Sequence, residues 1–277
     1  MTVAESLPLV PRRRQLAVIA LPPILAAGFF IGIWYLSSFV QFKDPQRRAS
    51  VQPYPHDVVQ ASFLTSRNLA EMLHALWRTT QVALIGLAIA IALGVLLAIL
   101  MSLSQSVERT LFPYAIVLQT IPIVALTPLM IIWFGTGQRP RVIVCVLISV
   151  FPIITNTLFG LKVAERSQHD LFTLHGSTRL IRLWKLKLPA SLPAMFTGFR
   201  ISAGLSVIGA IVGEFFFKAG SEGIGRRIGQ YTQRSETDKL IGAVTLTAAL
   251  GLALFLLFGW LGNRTTKHWR VGAGPSR

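Results

Sequence analysis

Charge is scarce in this chain. Only 14% of its 277 residues are Asp, Glu, Lys or Arg, where an ordinary soluble domain carries about a quarter. Acids are scarcer still, with 11 Asp and Glu against 27 Lys and Arg. There is one cysteine, Cys145, which excludes an intrachain disulfide and a thiolate metal site. The five histidines, His56, His74, His169, His175 and His268, show no HxxxH or HExxH spacing, so the helical zinc pattern is absent. No phosphate-cradling Walker loop, no nucleophile elbow and no pair of carboxylates within one apolar run occurs. Hydrolase, metalloenzyme and nucleotide-binding readings therefore find no residues to work with.

What the chain does contain is apolar length. Hydrophobic residues make up 52% and the mean hydropathy is +0.58. Six runs approach the roughly 20 apolar residues that cross a bilayer, at about 16–40, 80–103, 111–134, 142–164, 192–217 and 240–262. The net charge of +16 would also suit a nucleic-acid binder. Here the basic residues lie between the apolar runs, where membrane proteins place them, so the partner expected is the lipid bilayer and no nucleic acid. Residues 1–15 read as a cytoplasmic N-terminal segment and 16–277 as one transmembrane domain. Arg12, Arg13 and Arg14 precede the first run as a signal peptide's basic residues would. Its length and its lack of a small-residue cleavage site favour a retained helix. The same arginines favour cytoplasmic termini, although the Lys and Arg bias between the two sides is slight.

Within this frame, residues 41–66 read as a polar external loop and 67–79 as an amphipathic helix entering the second span. The third run holds Pro113, Pro122 and Pro128, which predicts a kinked helix buried in the bundle. Residues 165–193, ERSQHDLFTLHGSTRLIRLWKLKLPASLP, are too polar to span. Gly176 supplies a turn, Ser177 or Thr178 a cap for a second short helix, and Leu188-Pro189 a stop. Arg179, Arg182 and Lys185 recur along that helix. Two readings of the pattern stay open: a basic helix lying on anionic lipid, or a short helix pair docking into a partner.

The same residues resemble a known family. Gly176, nine residues, Leu186, one residue and Leu188-Pro189 are similar to the second half of the EAA loop of ABC importer permeases. By spacing from the glycine, the family's Glu-Ala-Ala falls on Asp170, Leu171 and Phe172. The acid is kept and the two alanines are replaced by bulky groups. QTIPIVALTPLMIIWFGTG (119–137), QPYPHDVV (52–59), LPAMFTGFRISAGLSVIGAIVGEFF (192–216) and GSEGIG (220–225) resemble segments of the permeases for nitrate, sulfonates, taurine and thiamine-precursor pyrimidines. The likeness covers roughly residues 50–265.

The resemblance implies an all-α membrane protein of six transmembrane helices with the type I ABC importer (MetI-like) permease fold, in a bacterial inner membrane. It implies a non-catalytic transport subunit that forms the pathway for a small polar organic solute or oxyanion. Its implied partners are a separate ATP-binding subunit, an extracytoplasmic solute-binding protein and a second permease copy as a homodimer. This chain would bind no cofactor itself; ATP and Mg belong to the partner subunit. The coupling loop, about 165–190, would act through Asp170, Leu171, Phe172, Thr173, Leu174, Gly176, Ser177, Leu188 and Pro189.

For the pathway or a gate, the candidates are Gln119 and Thr120 on the third span and Glu214, the only acid placed within a span; an intramembrane carboxylate is a functional suspect by default. Packing near a helix end would also explain Glu214. Gly209 and Gly213 form a GxxxG pair that suits either a dimer contact or packing within the chain. An ion-coupled secondary transporter is the alternative function, but such carriers show repeats and midplane charges that are not seen here.

Overall fold

The computed structural model describes residues 12–164 and 166–266. Most of the expected N-terminal segment 1–15 and Glu165 of the loop, together with His268, lie outside the described residues. Every regular element among the described residues is helical. Five helices are long and apolar enough to cross a membrane, and a sixth span is formed if one bent helix pair counts as one.

Helix α1 (Arg12–Gln41) stands apart, with 6% of its apolar stretch buried. Among the described residues it is attached mainly to the segment that follows. Trp34 Nε1 donates to the carbonyl of Pro53 at 3.0 Å, and Tyr35 stacks with Tyr54 and His56 at centroid distances of 5.5 and 5.8 Å. That segment is not the plain loop expected over 41–66. Asp44 caps α2 (Pro45–Val51), accepting from the Gln46 amide at 3.1 Å. Pro55 opens α3 (Pro55–Val59). Pro45 and Pro55 stand at first helical positions, where the missing N–H costs nothing, and Pro53 lies between the two helices. The expected amphipathic stretch 67–79 is the first part of α4 (Ser66–Leu103), continuous with the second span.

The centre of the bundle is α7 (Gln138–Leu161), packed between α4 and α10 (Leu188–Phe216), with α12 (Thr237–Thr266) against α10. Lipid is as apolar as leucine, so helices associate here by close fit and polar contacts. A Cβ on Gly209 would lie 2.7 Å from the Cα of Cys145, and one on Gly213 would lie 2.9 Å from the Cα of Arg141. The GxxxG pair is therefore spent on packing within the chain. Cys145 sits at the crossing of three helices, its Sγ 3.2 Å from the Ser206 carbonyl and 3.7 Å from that of Ala83. Ser202 adds a cross-link, donating to the Ser149 carbonyl at 2.6 Å.

Two prolines act differently from expectation. The third span is broken rather than kinked: α5 (Gln105–Thr120) and α6 (Ile123–Phe134) meet at 98°. Ile121 and Pro122 take extended conformations, ψ 123° and 105°, because the residue before a proline is pushed out of the helical region and the proline has no N–H to continue the ladder. Nor is this span buried within the chain. Val117, Val124, Ile132 and Trp133 all face outward. Leu188-Pro189, expected as a stop, instead begins α10. The chain passes into it through a π-helical turn over Leu183–Lys187. The wider turn accommodates a proline that an unbroken α-helical ladder would not.

Candidate functional site

The 165–190 loop sits at the end of the bundle where α4 passes into α5. Lys187 Nζ donates to the Ser102 carbonyl at 3.2 Å, and Lys162 Nζ pairs with Glu108 Oε2 at 2.7 Å. Helix α8 (Arg166–Leu174) is closed by a turn in which Ser177 N donates to the Phe172 carbonyl and Gly176 N to that of Thr173, both at 3.0 Å. Gly176 takes φ +62°, the left-handed conformation that only glycine adopts freely. Thr178 then caps α9 (Arg179–Arg182), accepting from the Ile181 amide at 3.4 Å. Arg182 Nη2 reaches back to Thr173 Oγ1 at 3.1 Å and ties the two short helices together.

Two residues hold this unit to the bundle. Leu183 and Leu186, on the π turn, point inward and are buried. Leu186 is the motif position between the glycine and Leu188-Pro189, which explains why that spacing is fixed. The other apolar groups point away from the bundle. Leu174 is 85% exposed and Trp184 69%, with Leu171 and Leu180 also open. Asp170 and Thr173 are exposed, Phe172 and Ser177 partly so, and Leu188 and Pro189 are half-buried at the start of α10. Among the described residues neither Arg179 nor Lys185 has an ion pair. A short, internally tied helix pair thus shows leucines, a tryptophan and free cations to its surroundings. Apolar side chains gathered on a polar segment mark an interaction surface.

The pathway candidates are not brought together in the same way. Gln119 and Thr120 are exposed at the α5–α6 break, and Thr120 Oγ1 is engaged by the Val117 carbonyl of its own helix at 2.9 Å. Glu214 is 0% exposed. It lies at the opposite end of the bundle from the loop, where its Oε2 accepts from Thr79 Oγ1 at 2.8 Å and from Gly225 N at 2.9 Å. Thr79 Oγ1 in turn accepts from Ile224 N at 2.8 Å. Gly223 passes so close that a Cβ there would fall 2.1 Å from the Glu214 carboxyl carbon.

Arg141, also fully buried, completes this arrangement. Its Nε donates to the Phe217 carbonyl and its Nη1 to that of Ser221, both at 2.9 Å, while Nη2 reaches the Ala219 carbonyl at 2.6 Å. The cation collects the carbonyls of Phe217, Ala219 and Ser221, and the anion holds the Gly225 amide directly and the Ile224 amide through Thr79. These bonds give partners to backbone groups that would otherwise lack them. Together they clamp the turn between α10 and α11 (Ile224–Gln233). Sequence reasoning missed Arg141 and Thr79. Arg141 stands one residue before the fourth apolar run, among the basic residues between runs, and a threonine within a span carries no signal by itself.

Comparison with known proteins places this architecture. The profile of a family described as "Binding-protein-dependent transport system inner membrane component" matches residues 90–267. The formylaminopyrimidine transport permease protein ThiX of Halalkalibacterium halodurans is 34% identical over 88% of this chain and 94% of its own length. The putative aliphatic sulfonates transport permease protein SsuC of Escherichia coli is 33% identical over 83% of this chain and 84% of its own. Among solved structures, an inward-facing MetNI methionine ABC transporter chain superposes with TM-score 0.65 at 15% identity, covering 73% of this chain and 99% of that one; at that identity the likeness concerns the fold.

Proposed function

The chain belongs to the binding-protein-dependent transport inner-membrane components and is the permease subunit of an ABC importer, and on that premise we propose that its 165–190 loop is the surface an ATP-binding subunit grips. The support is the exposure of Leu171, Leu174, Leu180 and Trp184 on a helix pair that Gly176, Thr178 and Arg182 make rigid. A partner that closes on ATP moves a permease only through an element that keeps its shape when pushed. Asp170, Leu171, Phe172, Thr173, Leu174, Gly176 and Ser177 form the contact, and Leu188-Pro189 joins it to α10. ATP and Mg act on the partner, and an extracytoplasmic binding protein delivers the solute to the opposite face. The loop face and both termini are then cytoplasmic. Two copies of this chain form the pathway, which would cover the exposed α5–α6 pair and bring Gln119 and Thr120 to the solute.

The solute we propose is a small polar organic molecule or oxyanion. ThiX is named for a substituted pyrimidine and SsuC for sulfonates, and the identities to this chain are similar. Glu214 acts on transport by holding the 217–225 turn rather than by touching solute, as its enclosure by Thr79, Gly223 and Gly225 supports.

Leu174→Asp tests the docking surface. The side chain is 85% exposed, so the variant folds and inserts normally, yet it should lose most of the co-purifying ATP-binding subunit and its solute uptake. Thr173→Cys and Ser177→Cys should cross-link to that subunit. Full retention of the subunit by Leu174→Asp, with labelling of both cysteines only by lipid-phase reagents, would assign the loop to the membrane surface. Ligand identification on the solute-binding protein that co-purifies tests the substrate class.

A further inference from the structure

Arg200 is the charged residue that neither the loop nor the clamp absorbs. It lies 12 positions inside α10, about 18 Å along the helix from Leu188. Its guanidinium lies over the Phe255 ring, 3.8 Å from the centroid. Its Nε is buried without a hydrogen-bond partner, and among the described residues Arg200 has no ion pair. An intramembrane cation without a counter-charge is costly and calls for one.

Two adjoining cavities between α10 and α12 meet at this stack. On the loop side of Arg200 is a polar pocket of about 110 Å³, lined also by Thr197, Asn263 and Thr266. On the far side runs an apolar slot of about 710 Å³, whose walls include Ile201, Leu205, Ile208, Leu252 and Phe255. Gly204 and Gly251 form part of the slot, and a Cβ on either meets nothing within 4 Å. From Arg200 to Ile211 α10 rises about 16 Å, close to half of a roughly 30 Å hydrocarbon core.

We propose that this groove binds one anionic phospholipid from the loop-side leaflet. The phosphate enters the polar pocket and pairs with Arg200, whose planar donors suit phosphate oxygens. The Asn263 amide offers a further hydrogen bond. One acyl chain lies in the slot, passing Gly204 and Gly251. The charge at one end and the apolar length beyond it are the two halves of a lipid. A free anion would use only the pocket.

Native mass spectrometry of the assembled transporter tests this, after exchange into phosphatidylglycerol or phosphatidylcholine. The wild type should retain phosphatidylglycerol in preference. Arg200→Gln should cut that retention about fivefold, the worth of one basic group facing an anionic lipid, with Arg200→Lys between the two. Gly204→Leu and Gly251→Leu, whose Cβ atoms enter open space, should lower retention of both lipids while the complex elutes normally in gel filtration. Wild-type retention by Arg200→Gln and by both leucine variants overturns the proposal. So does displacement of phosphatidylglycerol by millimolar inorganic phosphate alone, which would leave a free-anion site. A Gly251→Cys disulfide between two copies would likewise overturn it, by showing a second chain in the groove.

Discussion

Thr79→Val tests the clamp at the end of α10 without altering the size of a side chain. The Thr79 hydroxyl donates to the Glu214 carboxylate and accepts from the Ile224 amide, each at 2.8 Å, in a site with no solvent exposure. Valine fills the same volume and makes neither bond. A hydrogen bond to a charged group contributes about 1.5–3 kcal/mol, and a buried amide left without an acceptor costs about 1–3 kcal/mol. The two share one atom and do not add fully, so the expected loss is about 2–5 kcal/mol. At about 2–4 °C per kcal/mol for a domain of this size, the solubilised complex should melt about 10 °C lower. Thr79→Ser keeps the hydroxyl and should fall by only about 2–4 °C, the share of one methyl group. A local readout separates the clamp from global loosening: Lys218 lies within the clamped turn and is exposed, so trypsin should nick the valine variant there well before it melts. Equal melting and equal nicking of the valine and serine variants would refute the clamp as the device that orders residues 217–225.

Other outcomes follow from the same geometry. Gly213→Ala places a Cβ 2.9 Å from the backbone of Arg141 and should reduce the yield of folded, monodisperse protein, whereas Gly204→Ala, with open space beside it, should be indistinguishable from wild type in the same gel-filtration assay. Gly176→Ala forces a side chain onto φ +62°, a local cost of about 1–2 kcal/mol. It should weaken co-purification of the ATP-binding subunit at unchanged melting temperature, and Gly176→Asn, which tolerates that conformation, should do so less.

The fold was legible because apolar length is a coarse and reliable signal. Each of the six expected runs falls on a helix or on the bent pair. The loop's turn was legible because Gly176 answers a local requirement, a left-handed residue, and Leu186 at its fixed offset from it proves to be an inward anchor. The prolines misled where their effect depends on what surrounds them. Pro122 broke its span, with the extended backbone at Ile121 supplying the turn, while Pro189, expected to stop a helix, was absorbed by a π turn at the start of one. Glu214 was legible as an oddity but not as half of a clamp, since its counterpart Arg141 lies 73 positions away and meets it only through the 217–225 turn that both hold.

The two ends of the molecule are joined by one element. α10 runs unbroken over Leu188–Phe216, about 43 Å at 1.5 Å per residue, from the π turn that seats the loop to the carboxylate that seats the 217–225 turn. Its length is tied to α7 by contacts that leave no room for a methyl group, at Gly198, Gly209 and Gly213. Interiors packed this closely move as blocks and do not deform gradually. A push on the loop therefore displaces α10 and α7 together and carries the clamped turn with them. The part the block does not hold is α1, attached mainly through Trp34 and the Tyr35–Tyr54–His56 stack, while the α5–α6 pair, with its 98° bend, rests against the block through Ala115 and Met130. The proposed solute pathway lies along that second element, beside the rigid block and not within it.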